Sequence, residues 1–353
     1  MISRKTPSEP LPPAPLRQLA AEPPQNRFTL IDCGAGFQPA DFAREVQTGL
    51  TSCSKRLSCR FFYDQEGSAL FEAICELPEY YLMRVEREIL EKRAGEIAGL
   101  FPEKIARVEL GSGSASKTRI LIEEFLRRQP GNQTLRYVPV DISRTMLEES
   151  SLALLRDYPP LEIVALAGEY HDCFPRLGAE AAGAKLVLWL GSNVGNLDRQ
   201  EAAAFLREVG QTMSRRDRLL VGIDLRKDSR MLQRAYDDSS GVTARFNRNL
   251  LARINRELGG HFDLQTFKHQ AVYDEKIGRV EIYLVSARAQ RVSIDRLHLE
   301  VPFAAGERVH TENSYKYSLA EIEDLAAASG LLLQRQWLDA NHRFSVNLLA
   351  PIG

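Results

Sequence analysis

The stretch VELGSGSASKTR, Val108–Arg119, carries an apolar run into a helix-forming one through Gly111 and Gly113. The pattern predicts a strand ending at Glu109, a glycine turn, and a helix opening near Ser116. A strand, a tight loop and a helix N-terminus form the usual cradle for a nucleotide-type ligand in an α/β sheet. A turn with no ligand would have the same outline.

Three ligand classes use such a loop. A dinucleotide site asks for G-x-G-x-x-G, and Ser116 stands where the third glycine should be. A P-loop asks for G-x-x-x-x-G-K-[ST]; Gly111 to Thr118 fits, with Lys117-Thr118 at the phosphate end, but Ser116 again replaces a glycine. The S-adenosylmethionine loop reads acidic-x-G-x-G, and Glu109, Gly111 and Gly113 match it in full.

Outward from the loop the chain alternates. Strand patterns at 107–110, 136–140, 162–165, 185–190 and 218–225 are separated by helical periodicity near 116–128, 143–156, 174–181 and 198–213. This predicts βαβ units and a parallel sheet covered on both faces, with ligands at the carboxyl ends of its strands. Asp141 lies at such an end, where a carboxylate can accept two hydrogen bonds from a ribose diol or cap the following helix; Ser143 offers an alternative cap. The C-terminal part predicts a helix at 318–329, with Ser318 and Glu321 as a capping box, and strands at 331–338 and 344–349. A helix and a terminal strand pair are how methyltransferase sheets end, with an antiparallel last strand. The expected fold class is therefore α/β, a Rossmann-like class I methyltransferase sheet, with a second α+β domain that binds substrate.

Before the loop, 28–31 reads as a strand and 39–51 as a helix. Gly67-Ser68 reads as a turn and N-cap for a helix at 69–75, and 84–98 as an amphipathic helix. The aromatics Phe61, Phe62, Tyr63, Phe71, Tyr80 and Tyr81 suit either a core or a small polar pocket. From 227 the alternation stops: two helical segments precede strands at 270–274, 279–287 and 290–294, as in an inserted unit able to close over a ligand. Arg245, Arg248, Arg253 and Arg256 read as a solvated helix face. The expected boundaries are a Pro-rich tail over 1–26, holding seven of 17 prolines; a substrate-binding domain of 27–83 and 227–316; and a cofactor-binding domain of 84–226 and 317–353.

Composition narrows the classes. The 353 residues have a net charge of -1, which argues against a broad nucleic-acid footprint, and no apolar run approaches a membrane span. The five cysteines form no C-x-x-C pair and the six histidines no metal-ligand spacing. A metal-free, cytoplasmic monomer acting on a small molecule is expected, with neither nucleic acid nor membrane as partner.

Six segments in order carry a resemblance. They are YDQEGSALFEAICELPEYY from Tyr63, ELGSGSASKTR from Glu109, YVPVDIS from Tyr137, GSNVGN from Gly191, AYDDSSGVTARFN from Ala235 with LLARINRELG after it, and HTENSYKY from His310. With them the chain resembles the S-adenosylmethionine-dependent histidine Nα-methyltransferases that form hercynine in ergothioneine biosynthesis. The resemblance implies S-adenosylmethionine held by Gly111, Gly113 and Lys117, its ribose on Asp141 and its adenine near Glu169 and Tyr170. It implies a histidine substrate whose amino acid head meets Tyr63, Asn196 and Tyr236, while Tyr80, Glu312 and Ser314 face the imidazole. Tyr63 would receive the amine proton, directly or through water. Two positions depart from the family pattern. Gly168-Glu169-Tyr170 stands for Gly-Asp-Phe, and Ile282 stands for a methionine that lines the side-chain pocket, which leaves tryptophan or a derivative as the alternative substrate. A P-loop phosphotransferase or a non-catalytic binding module would be the reading from a different class.

Overall fold

The strands expected before residue 227 and after residue 330 pair as one sheet. The computed structural model describes residues 27–34, 39–101, 105–128, 134–181 and 183–352, and the Pro-rich tail lies outside them. In chain order the first elements are β1 (Phe28–Asp32), α1 (Pro39–Thr51), α2 (Gln65–Cys75) and α3 (Leu82–Gly99). The alternating part follows: β2 (Ile105–Leu110), α4 (Thr118–Arg128), β3 (Leu135–Asp141), α5 (Arg144–Asp157), β4 (Leu161–Ala167), α6 (Tyr170–Glu180), β5 (Ala184–Trp189), α7 (Arg199–Gln211) and β6 (Arg218–Asp224). The insertion holds α8 (Ser229–Tyr236), α9 (Val242–Leu258), β7 (Phe267–Asp274), β8 (Arg279–Ser286), β9 (Gln290–Ile294), β10 (Leu299–Phe303) and β11 (Arg308–Tyr315). The chain closes with α10 (Leu319–Ala328), β12 (Leu331–Leu338) and β13 (Phe344–Pro351).

The large sheet runs β1-β4-β3-β2-β5-β6-β13-β12. Every pair from β1 to β6 is parallel, and β13 lies antiparallel between β6 and β12. The strand order reverses between β2 and β5, which opens a crevice beyond their carboxyl ends. β2 and β5 are buried at every residue, as strands covered on both faces must be. Two apolar clusters fill the two sides, one around Leu121, Tyr137 and Leu188, the other around Val108, Val187 and Trp189.

Several expectations change. β1 forms the outer edge of the large sheet, paired with β4, so it stands apart from the substrate unit in which 27–83 had been grouped. The first turn of α2 begins at Gln65, because Asp64 caps it by accepting from the Gly67 N–H at 2.7 Å. Gly67 thus lies inside the helix, where a Cβ would run into the Phe62 carbonyl at 1.7 Å. α4 opens at Thr118, two residues later than expected, and α6 at Tyr170, four residues earlier. Arg253 and Arg256 are not simply solvated: Arg253 stacks over Phe42 and donates to the Phe61 carbonyl, and Arg256 pairs with Asp64. These contacts tie α9 to the segment before α2.

Within the insertion, β7, β8 and β11 form a three-stranded antiparallel sheet, and β9 with β10 a two-stranded one. β10 and β11 were not expected. β11 carries a bulge between His310 and Glu312: Val309 pairs with Leu284 and His310 with Tyr283, but Glu312 pairs with Ile282. Alternation alone would place Glu312 opposite in face to Val309. The extra residue, Thr311, shifts the phase, so Glu312 and Ser314 share the inner face with Ile282 and Val280. Past β11, Tyr317 bonds the end of β6 through Tyr317 N to the Asp224 carbonyl at 3.0 Å and Arg226 N to the Tyr317 carbonyl at 2.9 Å. That stitch sets the small sheet against the mouth of the large one. Among the described residues no helix is long and apolar enough to cross a membrane.

Candidate active site

The glycine loop is shaped from both sides. Gly111 (φ 70°), Gly113 (φ 48°) and Ala115 (φ 53°) all adopt left-handed backbone. At Gly111 space matters as well, since a Cβ would lie 2.6 Å from the Tyr170 hydroxyl. Asp141, at the end of β3, accepts from the Gly113 N–H and the Ser143 N–H, each at 2.9 Å. Ser143 caps α5 by accepting from Met146 N, so Asp141 is not spent on the cap. Glu109 is buried beneath the loop, where it accepts from Thr118 Oγ1 at 2.6 Å and from the Tyr137 hydroxyl. Burial pushes its carboxyl up to about 7 despite those two donors.

Lys117 pairs with Glu86, a carboxylate of α3 only 1% exposed, which also accepts from the Gly191 N–H at 2.9 Å. A lysine whose charge is already met by a buried carboxylate is poorly suited to clamp a phosphate. Glu169 precedes α6 without capping it and pairs with Arg60 at 2.8 Å, while Arg60 also holds Glu45.

The GSNVGN segment has its own local logic. Gly191 (φ 79°) and Ser192 (φ 59°) turn the chain out of β5 into a short 3-10 helix, Asn193–Asn196. The Ser192 hydroxyl accepts from Asp224 N at 3.0 Å, and Val194 is buried. At Gly195 a Cβ would meet the Tyr315 carbonyl at 2.8 Å. Only a glycine lets this turn lie against β11, and the contact brings Asn196 beside the substrate-side strand.

These elements enclose a cavity of about 400 Å³, within the ~300–1,000 Å³ usual for small-molecule sites. Of the residues singled out from the sequence, Gly111, Gly113, Lys117, Asp141, Glu169, Tyr170, Tyr63, Tyr80 and Asn196 all line it. Tyr236, Ile282, Glu312 and Ser314 do not. Tyr236 meets the wall through Tyr80, edge to face with ring centroids 6.2 Å apart. Ile282 is buried next to Glu312 in the register of the small sheet. The Glu312 carboxylate has no hydrogen-bond or ion-pair partner among the described residues. Burial pushes it up to about 7, with Lys316 pulling the other way. Its charge is felt by Cys59, Tyr63 and Tyr80.

Tyr63 is 36% exposed, and its ring packs edge-on against Phe71 at 5.6 Å. Burial first, then the charge of Glu312, hold its hydroxyl well above the ordinary tyrosine range. Tyr63 is therefore a neutral phenol. Such a phenol can orient an amine.

The sequence reading missed Lys316 and Asp224. Both are fully buried, 2.8 Å apart, between the cavity wall and the large sheet. Asp224 also accepts from the Tyr81 hydroxyl at 2.8 Å and from Lys227 at 2.5 Å, and these cations hold it below the usual carboxylate range against the effect of burial. The available signal was Asp224 at the carboxyl end of β6, which the alternating pattern had located.

The arrangement suits S-adenosylmethionine. The cradle excludes a Cβ at Gly111, a carboxylate stands at the end of β3, and the buried hydroxyl of Ser112 lines the cavity without a partner among the described residues. No group of acidic, histidine and cysteine side chains able to hold a metal occurs among the described residues.

Comparison with known proteins places this geometry. Residues 42–351 match the family model for histidine-specific, S-adenosylmethionine-dependent methyltransferases. The chain is 40% identical to the histidine N-alpha-methyltransferase of Mycolicibacterium smegmatis, over 89% of this chain and 98% of that one. It is also 40% identical to the histidine N-alpha-methyltransferase of Mycobacterium tuberculosis, over 87% of this chain and 94% of that one. The ergothioneine biosynthesis protein 1 of Neurospora crassa is 31% identical over 89% of this chain and 34% of its own longer one. The chain thus belongs to the histidine-specific, S-adenosylmethionine-dependent methyltransferase family.

Proposed function

We propose that the protein transfers methyl groups from S-adenosylmethionine to the α-amine of L-histidine, ending at the trimethylated betaine hercynine. The observation that carries this reading is the cofactor loop opening into one cavity with Tyr63, Tyr80 and Asn196, beside the unpaired carboxylate of Glu312. In this reading Gly111, Gly113 and Lys117 hold the amino acid tail of the cofactor, Asp141 its ribose, and Glu169 with Tyr170 its adenine. Bound there, S-adenosylmethionine supplies an electrophilic methyl on a sulfonium that leaves as a neutral thioether.

The protein's own task is alignment and the exclusion of water. Only a deprotonated amine has a lone pair to attack with, so the groups around it should not favour its charged form. Tyr63 and Asn196 are neutral and hold the amine without stabilising an ammonium. Tyr236 meets the same amino acid head, where its hydroxyl can accept an amine N–H. Tyr80 walls the ring, Ser314 donates to it and Glu312 accepts its N–H. A side chain that cannot use Glu312 leaves a charge unpaired, which is how a polar site rejects poor fits. Residues 39–83 and 227–316 act as the substrate-binding unit and 84–226 with 317–353 as the cofactor-binding unit. A cytoplasmic monomer, with neither nucleic acid nor membrane as partner, suffices for this chemistry.

A second reading, tryptophan or a derivative as substrate, draws on Ile282, whose branched side chain beside Glu312 changes the pocket wall. The test is incubation of the protein with S-adenosylmethionine and each of the 20 amino acids, followed by mass analysis. Histidine gaining three methyls is expected. Methylated tryptophan with unmodified histidine would overturn the assignment and favour the second reading.

A further inference from the structure

We propose that Lys316 is a positioning residue that leaves the Tyr236–Ser314 hydroxyl pair one proton to offer a ligand, directs it from Ser314, and so selects a neutral imidazole in one tautomer. The inference rests on Ser314 and Glu312 being the partners of the ring.

Lys316 follows directly on β11 and is fully buried. An ammonium has three donors and no acceptor. Here the three have separate destinations: Asp224 at 2.8 Å, the Tyr236 hydroxyl at 2.7 Å and Ser314 Oγ at 2.9 Å. Burial opposes the charge, but Asp224 beside it more than offsets this and keeps Lys316 protonated. Tyr236 and Ser314 are themselves 2.7 Å apart. Each hydroxyl accepts from Lys316, so neither can donate back to it. One of their two protons is spent in the bond between them. Asp224 takes up Lys316, Lys227 and Tyr81, and neither hydroxyl reaches it. The second proton has no acceptor within the cluster and points outward.

Direction follows from acidity. A phenol is the stronger donor and an alkyl hydroxyl the stronger acceptor, so Tyr236 donates to Ser314 and the outward proton belongs to Ser314. Two residues earlier on the same face of β11, Glu312 presents a carboxylate with no partner. The strand therefore offers one donor and one acceptor side by side. A neutral imidazole matches both, with a lone pair toward Ser314 and an N–H toward Glu312. An imidazolium has two N–H groups and no lone pair, and an indole has one N–H and no acceptor. Either would leave the Ser314 proton unpaired, which is costly away from water.

The first measurement needs no variant. Histidine labelled with 15N in the ring is bound to the wild-type protein with S-adenosylhomocysteine at a pH near 8, above the range in which Glu312 takes up its proton and where a free ring, ordinarily titrating near ~6.5, averages its two tautomers. One pyridine-type and one pyrrole-type nitrogen are expected. Two equivalent imidazolium nitrogens, or an averaged tautomer signal, overturn the proposal.

The second measurement is a cycle with Ser314→Ala and Lys316→Met, reading histidine affinity, kcat, KM and S-adenosylhomocysteine affinity. Each single variant is expected to weaken histidine about tenfold through KM more than kcat, the loss of about one directed hydrogen bond. Cofactor affinity should hold, and the double variant should be no worse than either single one. Lys316→Gln keeps two N–H donors and should recover most of the loss; if Lys316→Met does not fold, this variant and the wild-type spectrum decide. Equal and additive losses would show Lys316 acting elsewhere and refute the proposal. A Ser314→Ala variant with unchanged histidine affinity refutes the underlying ring assignment instead.

Discussion

Replacing Glu312 with glutamine should make the free protein more stable while making it a worse enzyme. The carboxyl stands at about 7 in the fold against an ordinary 4.5. At about 1.36 kcal/mol per pH unit of displacement, ionised Glu312 opposes folding by roughly 3 kcal/mol. Glu312 is only partly buried, and screening by solvent trims this to roughly 1–3 kcal/mol. The sign is fixed by the direction of the shift. An acid whose folded value is raised destabilises fully above about pH 7, and the penalty disappears as pH falls through 4.5. Glu312→Gln should therefore melt higher than wild type at pH 8, by about 1–4 °C for a chain of 353 residues. The gain should shrink steadily toward pH 5. Thermal melts of both proteins at half-unit pH intervals, without substrate, test this. Saturating histidine should narrow the gap, since it pairs the carboxylate only in the wild type. A variant no more stable at pH 8, or one whose advantage is the same at pH 5, refutes the claim that Glu312 is held unpaired for a ligand.

Other outcomes follow from the site. Asp141→Ala loses the acceptor that fixes Gly113 and Ser143 along with the proposed ribose contact, so S-adenosylhomocysteine should bind about 10–100-fold more weakly by calorimetry; unchanged affinity would place the cofactor elsewhere. Asn196→Ala should lower kcat/KM for histidine at least tenfold, about one hydrogen bond to a charged or reacting group, with cofactor affinity nearly intact. Tyr63 stays protonated through the working range, so Tyr63→Phe should reduce kcat/KM without removing any limb of its pH profile. Loss of an alkaline limb in that variant would make Tyr63 the titrating base after all.

The cofactor half was readable because its signals are local and periodic. The apolar strands, the glycine pair, Asp141, and Ser318 with Glu321 each declare themselves within a few residues, and the capping box is present in both directions. The substrate half hides its signals in tertiary contacts. The run that forms β11 is polar, and its bulge breaks the two-residue period by which a strand is recognised, so Glu312 had no assignable face. β1 pairs with a strand more than 130 residues away, and nothing within it names that partner. Lys316 and Asp224 look like surface charges in the sequence. They can be buried only because each finds the other, with Tyr81, Lys227, Tyr236 and Ser314 completing the hydrogen bonds. Ser116 had the opposite fate: an apparent defect in two templates fits a loop that binds no phosphate.

The bulge at Thr311 makes the substrate end of this enzyme depend on residue count as much as on residue identity. Were β11 to pair without the bulge, Thr311 would stand opposite Ile282 and point inward in step with Val309, while Glu312 would turn out of the pocket opposite Glu281. No atom of the cofactor loop would need to move. A lineage carrying this fold could thus exchange its recognition pair by shifting one bulge and keep its methyl donor, a shorter path to a new acceptor than rebuilding the wall one substitution at a time.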